Sequence, residues 1–176
     1  MPEGAKIRDT VWVNKWKEAG IRCRLCLRDY VSLEKNKENI FSPTPTPMTV
    51  RCILFCGIVY DLDIVIGDLT TAFMHATASE EMYCHTPIEY RVPGWLWKIE
   101  KAINGMRGAS ADVSDFFAAV ATQKLHLKRL VSAPCVFRAD KEKLIVGIHV
   151  DDPLAAGEHY ILKKSMGRLT RSYDAS

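Results

Sequence analysis

The chain has 176 residues, 48% hydrophobic and 26% charged, with 24 Lys plus Arg against 21 Asp plus Glu for a formal net charge of +3. A length slightly above the usual domain size of about 100–150 residues supports a core, and this composition is far from that of chains too polar to offset their own entropy. No apolar run approaches the roughly 18 residues of a membrane span, because CILFCGIVYDLDIVIG is broken by Asp61 and Asp63.

The start, MPEGAKIRD, carries basic residues but no apolar segment behind them, so no signal peptide is read and a reducing, cytoplasmic setting is expected. Charge is unevenly spread. From Lys6 to Lys37 nine basic residues face four acidic ones, an excess larger than that of the whole chain. Within that stretch, VWVNKWKEAGIRCRLCLRDYV reads as a hairpin: two alternating runs flank Glu18, Ala19 and Gly20, with Gly20 available for positive φ. SLEKNKENIFSPTPTPMT follows, polar and then spaced by Pro43, Pro45 and Pro47, and is expected to be an extended connector.

Val50 to Tyr60 is compact and apolar, and predicts a helix packed through Leu54, Ile58 and its cysteines. The β-branched run from Asp63 to Leu69 predicts a short buried strand ending at Asp68. Thr71 to Ala78 predicts a turn or short helix. MYCHTPIEY and WLWKIEKAI read as strands. From Ala109 to Leu127, Val113, Phe116, Phe117, Val120, Ala121 and Leu125 recur at helical spacing, with Ser110 or Asp112 as a cap. PCVFRA and KLIVGIHV are two further strands about the turn ADKEK, and DDPLAAG runs on to Gly157. The order predicts an α+β fold with a mostly antiparallel sheet.

Six cysteines without a secretory signal are expected to be reduced thiols. Cys23 and Cys26 form a CxxC, and Cys52 and Cys56 lie four apart, which raises a zinc reading. IRCRLCL alternates as a strand does, and strand positions three apart face opposite sides. The thiols are therefore read as small apolar residues. Asp68 after IVIG, and Asp151 with Asp152 after LIVGIHV, are of more interest. Carboxylates at strand ends are costly unless something cationic meets them, and if the strands are neighbours the three converge as hard oxygen ligands suited to Mg²⁺. The alternative is two turns that use Asp as a turn former.

The segments RCRLCLRDY, FSPTPTPMTVRCILFCGI, GDLTTAFMHATASEEMYCHTP, KAINGMRGAS and APCVFRADKEKLIVGIHVDDPLAAG, in that order over about Asp9 to Ser172, resemble the reverse transcriptase domain of copia-type long-terminal-repeat retrotransposons. RCRLCLRDY is similar to the family's basic strand, and FSPTPTPMTVRCILFCGI to its Phe-Ser/Ala-Pro segment leading into a helix. GDLTTAFMHATASEEMYCHTP resembles the Asp-Val-Lys-Thr-Ala-Phe-Leu-His-Gly stretch. KAINGMRGAS resembles Lys-Ser-Leu-Tyr-Gly-Leu-Lys-Gln-Ala-Pro, and APCVFRADKEKLIVGIHVDDPLAAG the Asp-Pro-Cys-Val-Tyr and Tyr-Val-Asp-Asp pair.

The resemblance implies a right-hand polymerase with fingers and palm, an antiparallel palm sheet packed on helices, and no thumb within this chain. Residues 1–60 would be fingers-like, 61–157 the palm, and 158–176 the start of a post-palm segment. It also implies RNA-directed DNA polymerase activity on an RNA or DNA template with primer and deoxynucleoside triphosphates. Asp68, Asp151 and Asp152 take the metal-binding carboxylates for two Mg²⁺, with Mn²⁺ as substitute. Leu69 would offer its backbone carbonyl, and Phe73 matches the aromatic that excludes a 2′-hydroxyl. Arg22, Arg24 and Arg28 are expected near the triphosphate or template, or else as the charged edge of a solvated strand.

Four departures from the family pattern stand out: Gly108 where Gln is usual, Asn104 for an aromatic, Val113 for a bulky residue, and Pro153 directly after the paired acids. They leave open a catalytically dead, nucleic-acid-binding remnant of the same domain. Other polyprotein domains such as integrase and RNase H are expected as partners where encoded, with a virus-like particle as the setting of an active element and no membrane contact.

Overall fold

The computed structural model describes residues 5–38, 40–69, 71–139 and 141–174, with side chains except at 168 and 170–174. The first four residues of MPEGAKIRD and the last two of the 158–176 segment lie outside the described residues. The architecture is mixed α+β, with three sheets and four α-helices among the described residues.

Strands β2 (Thr10–Lys17) and β3 (Gly20–Leu27) form the expected hairpin, closed at Lys17 opposite Gly20, where the glycine takes φ +124°. Helix α1 (Pro47–Val59) starts three residues before the sequence reading placed it. Thr46 caps it by accepting from the Thr49 amide at 3.1 Å, and Pro47 in the first turn costs no hydrogen bond because that amide has no partner in a helix anyway. Its buried positions are Ile53 and Gly57, one turn apart; Leu54 and Cys56 are half-buried, and Ile58, expected to pack, is exposed.

Glycines decide how closely α1 approaches the sheet. A side chain at Gly57 would meet Ile64 at 2.7 Å, and one at Gly147 would meet Ile53 at 2.6 Å. That sheet runs β4 (Asp63–Ile66), β10 (Asp152–Gly157), β9 (Leu144–His149), β8 (Val136–Arg138), β7 (Lys128–Arg129), antiparallel throughout. Strand β4 is one edge, and all four of its residues are exposed, so the expectation of a buried strand is corrected. An edge strand has one neighbour, and α1 covers only part of its face.

The opposite face of the sheet, with Val146, Ile148 and Ala155, belongs to the main core together with Phe117 and Leu162. Phe117 comes from helix α3 (Ala109–Ala119), and its ring meets Phe137 edge-on at 5.4 Å. Val113, Phe117, Val120 and Ala121 are buried as the helical spacing predicts, but after Ala119 the helix widens into one π turn, Val120–Lys124. Neither expected cap forms. Gly108 precedes α3 without a side-chain bond, and Asp112 is instead buried in the first turn with Oδ2 unpartnered. Leu162 comes from α4 (His159–Asp174), a helix absent from the sequence reading.

A third sheet joins β1 (Lys6–Arg8), β5 (Thr77–Cys84) and β6 (Trp97–Lys101), and its β1–β5 pair is parallel. Between β4 and β5 lies the short helix α2 (Ala72–His75). Among the described residues no helix is long and apolar enough to cross a membrane.

Candidate active site

The three carboxylates of interest lie where β4 and β10 begin to separate. Register between these strands pairs Ile66 with Leu154, and two backbone bonds carry it further: Gly67 N–H to Pro153 O at 2.9 Å and Leu69 N–H to Asp151 O at 2.8 Å. Asp68 therefore sits directly across from Asp152, on one face of the sheet. Such an unbonded antiparallel pair places its Cβ atoms about 4.5–5.5 Å apart. Asp151 falls in the turn between β9 and β10, with the opposite strand parity.

Pro153 explains why the β4 ladder thins there. Gly67 donates to the Pro153 carbonyl, but proline has no N–H to return. The β9–β10 hairpin is spared, because His149 still pairs with Asp152. Gly67 fits closely beneath the ring: a side chain there would lie 3.1 Å from Pro153 Cγ and 3.3 Å from Met166 Cε, so both would have to give by a few tenths of an ångström.

Val150, first residue of the two-residue turn, has φ +56°, a left-handed backbone that a β-branched residue adopts only under strain. Val150→Gly should raise thermal stability by about 1 kcal/mol, the strain relieved less the entropy of a freer unfolded chain. A thermal midpoint that stays or falls would show the turn is unstrained.

Asp68 and Asp152 are exposed and Asp151 half-buried, and none of the three makes a side-chain hydrogen bond or ion pair with a described residue. Two carboxylates opposed across a ladder without a cation repel each other. Among the described residues no group of three or more His, Cys, Asp or Glu is gathered to hold a metal ion. What the register assembles is a pair.

Neighbouring groups are held by ordinary folding forces. Leu69 is buried, and its carbonyl accepts from the Ala72 amide at 3.1 Å as α2 begins. Phe73 on α2 is half-buried against the main core. His75 contacts Thr71 Oγ1 at 3.2 Å and stacks on Phe116. His149 is exposed at the end of β9.

The remaining expected site residues are dispersed. Arg22 and Arg24 share one face of the β2–β3 hairpin with Lys15 and Lys17, around a hollow of about 250 Å³. Arg28 lies at the hairpin base in a different cleft, beside Asp9, Trp12, Glu89 and Arg91. Gly108 lines a third, with Lys6, Lys37 and Glu80. The cysteine pairs also stay apart: Cys23 and Cys26 take opposite faces of β3, and Cys52 and Cys56 are on α1.

An ion network beside Gly108 escaped the sequence reading. Asp29, its side chain fully buried, accepts from Arg8 Nε at 3.0 Å, Lys37 Nζ at 2.7 Å and the Arg107 amide at 3.1 Å. Burial pushes its carboxyl up, but these three donors outweigh it and hold the group below the usual carboxylate range. Glu80 behaves likewise, with burial opposed by Lys37 and Lys6. Lys6 bonds Glu34 and Glu80 and is raised by both. The network ties the end of β3 to the loop before α3, where Leu27 N–H also donates to Asn104 O at 2.7 Å. Gly105, φ +86°, permits this approach, since a side chain there would overlap the Leu27 carbonyl. No local sequence pattern joins positions 6, 29, 37, 80 and 107.

Comparison with known proteins agrees with the motif resemblance. The profile of the reverse transcriptase (RNA-dependent DNA polymerase) family matches residues 1–175. The chain is 28% identical over 191 aligned positions to the retrovirus-related Pol polyprotein from transposon TNT 1-94 of Nicotiana tabacum, covering 99% of this chain and 14% of that polyprotein. With the ordered motifs, the α+β architecture and the full-length match in agreement, the chain belongs to the reverse transcriptase (RNA-dependent DNA polymerase) family.

Proposed function

We propose that this domain supplies the fingers and palm of a copia-type RNA-directed DNA polymerase and extends a primer 3′-hydroxyl by two-metal nucleotidyl transfer. In this reading residues 1–60 are fingers-like, 61–157 form the palm and 158–176 begin the post-palm segment. The observation that carries it is the register that sets Asp68 across from Asp152, with Asp151 in the adjoining strained turn.

The donor set fits Mg²⁺. Hard carboxylate oxygens, exposed at Asp68 and Asp152 and bonded to no cation among the described residues, suit an ion that takes one or two carboxylates and completes its shell with water and substrate phosphate. Asp68 and Asp152 would hold it, with Asp151 joining once substrate is present; Mn²⁺ would substitute. When bound, the ions supply Lewis acidity at the primer hydroxyl and neutralise charge on the triphosphate.

The chain's own residues then have defined tasks. The Leu69 and Gly67 amides, bonded to Asp151 and Pro153, fix the spacing of the two carboxylate-bearing segments. Phe73, held by the core, would exclude a 2′-hydroxyl by steric contact. Arg22 and Arg24 would pair with phosphate oxygens of the triphosphate or template, and Arg28 would add charge at the hairpin base. Gly108 contributes no side chain where relatives usually place Gln.

Primer extension on poly(rA)·oligo(dT) with Mg²⁺ or Mn²⁺ tests the reading, with Asp151→Ala alongside. Incorporation by the wild type and its loss in the variant is the expected result. Equal incorporation, or none by either, would overturn it. Salt-dependent binding that persists without incorporation would instead favour a nucleic-acid-binding remnant, a reading the dispersed arginines and Gly108 support.

A further inference from the structure

Two departures from ordinary helix geometry meet at the end of α3. The π turn Val120–Lys124 widens the last turn, so the Leu125 amide reaches back five positions to Val120 O at 3.3 Å and the Leu127 amide six to Ala121 O at 2.9 Å. Between them His126 takes φ +56°, at a helix exit where the left-handed residue is usually glycine. Leu125 and Leu127 turn to the main core, and His126 is left exposed. Single π turns are rare and gather at functional sites, and a strained left-handed residue persists only where its surroundings hold it.

His126 lines a hollow of about 370 Å³ between this helix exit, the β8–β9 turn and the first two turns of α4. The volume is that of a small-molecule site. Its floor is apolar: Leu125, Ala139 and Ile161 are half-buried and packed against the main core. Its rim is cationic. Lys141 comes from the turn and Lys164 from α4, and neither has a carboxylate partner among the described residues. Glu142 is the one acid among the described lining residues, and Tyr160 and Ser165 bring hydroxyls. Lys164 Nζ stands 6.0 Å from the centre of the Tyr160 ring, which is largely exposed, so a charge and a flat aromatic surface lie side by side.

We propose that this hollow binds a small phosphate monoester with a flat apolar body. Two ammonium groups and an imidazole against one carboxylate select an anion. Donors from three separate elements suit the several oxygens of a phosphate dianion better than a single carboxylate. The apolar floor and the Tyr160 ring select the body, since inorganic phosphate would leave both wet. The hollow is separate from the carboxylate pair. The β8–β9 turn and the turn holding Asp151 close opposite ends of β9, whose six residues span about 20 Å. The inference is therefore independent of the polymerase reading.

Titration of the full chain with phenyl phosphate in EDTA, followed by amide NMR, tests it; without metal the carboxylate pair repels a phosphate. Shifts should saturate with a Kd of about 1 mM and centre on Leu125, His126, Lys141, Tyr160 and Lys164. Inorganic phosphate and phenol should each bind about tenfold more weakly. Lys164→Ala should weaken binding about tenfold, whereas Lys163→Ala, at its exposed neighbour outside the hollow, should leave it unchanged. His126→Gly should raise the thermal midpoint, because the left-handed backbone is relieved, and yet weaken binding about fivefold. No saturable binding, shifts centred elsewhere, equal weakening by Lys163→Ala and Lys164→Ala, or phosphate binding as tightly as its phenyl ester would overturn the proposal. Unaltered binding by His126→Gly would overturn it too, since the strained residue would then have no part in the site.

Discussion

Asp29→Ala should cost about 3–5 kcal/mol of folding stability, read as a lower urea midpoint at unchanged slope. The reason is what the substitution leaves behind. Arg8 and Lys37 have side chains only 9% and 6% exposed, and both lose a carboxylate oxygen within 3.0 Å. Lys37 retains Glu80 at 2.7 Å and Arg8 retains a longer contact to Glu34, so the loss stops short of stranding two bare charges. Asp29→Asn keeps an acceptor for one donor and should fall between wild type and alanine.

The pH dependence has a definite sign. The Asp29 carboxyl is held below its ordinary value, so its contribution is complete above the unfolded value of about 3.9 and drains away as pH falls through the folded one. The gap between wild type and Asp29→Ala should be constant at neutral pH and close progressively below about pH 4. A gap that widens in acid, or an alanine variant as stable as wild type at pH 7, would refute the role given to the network.

How much of this was legible in the sequence follows from the range of the forces involved. The β2–β3 hairpin was, because alternation and a short turn are local, although Gly20, read as part of the turn, is the first residue of β3. The core face of α3 was equally legible from its spacing. Burial of β4 was misread because β-branched composition reports strand but not position in a sheet; whether a strand is central or an edge is settled by partners far along the chain. The start of α1 was missed because Pro47 looked like a breaker, whereas in the first helical turn it is an initiator. Helix α4 went unread because its residues are mostly polar, with Leu162 and Leu169 one heptad apart as its buried anchors.

At the candidate site the motifs singled out three carboxylates, and only pairing could order them. Sequence offers three acids of equal standing; register makes Asp68 and Asp152 partners and leaves Asp151 in the turn. The Asp29 network was invisible for the opposite reason. Its members have no motif and meet only because β1 runs parallel to β5 beside the end of β3.

Substitution of Asp152 by asparagine should produce two effects of opposite sign. In EDTA the variant should be more stable than wild type by about 0.2–1 kcal/mol, because one of two directly opposed like charges is gone and nothing else bonded to it is lost. Both carboxylates are exposed, so the gain should shrink as salt is added. Asp68→Asn should give the same gain, and the double variant little more, since either single change already removes the repulsion. With Mg²⁺ the order should reverse: the ion binds the folded pair and raises the wild-type midpoint by mass action, while either asparagine variant gains less. Primer extension should fall about a hundredfold or more in both. The combination is diagnostic. Turn-forming aspartates would make each variant less stable in EDTA and indifferent to Mg²⁺, whereas a pair kept for a cation must be costly without one.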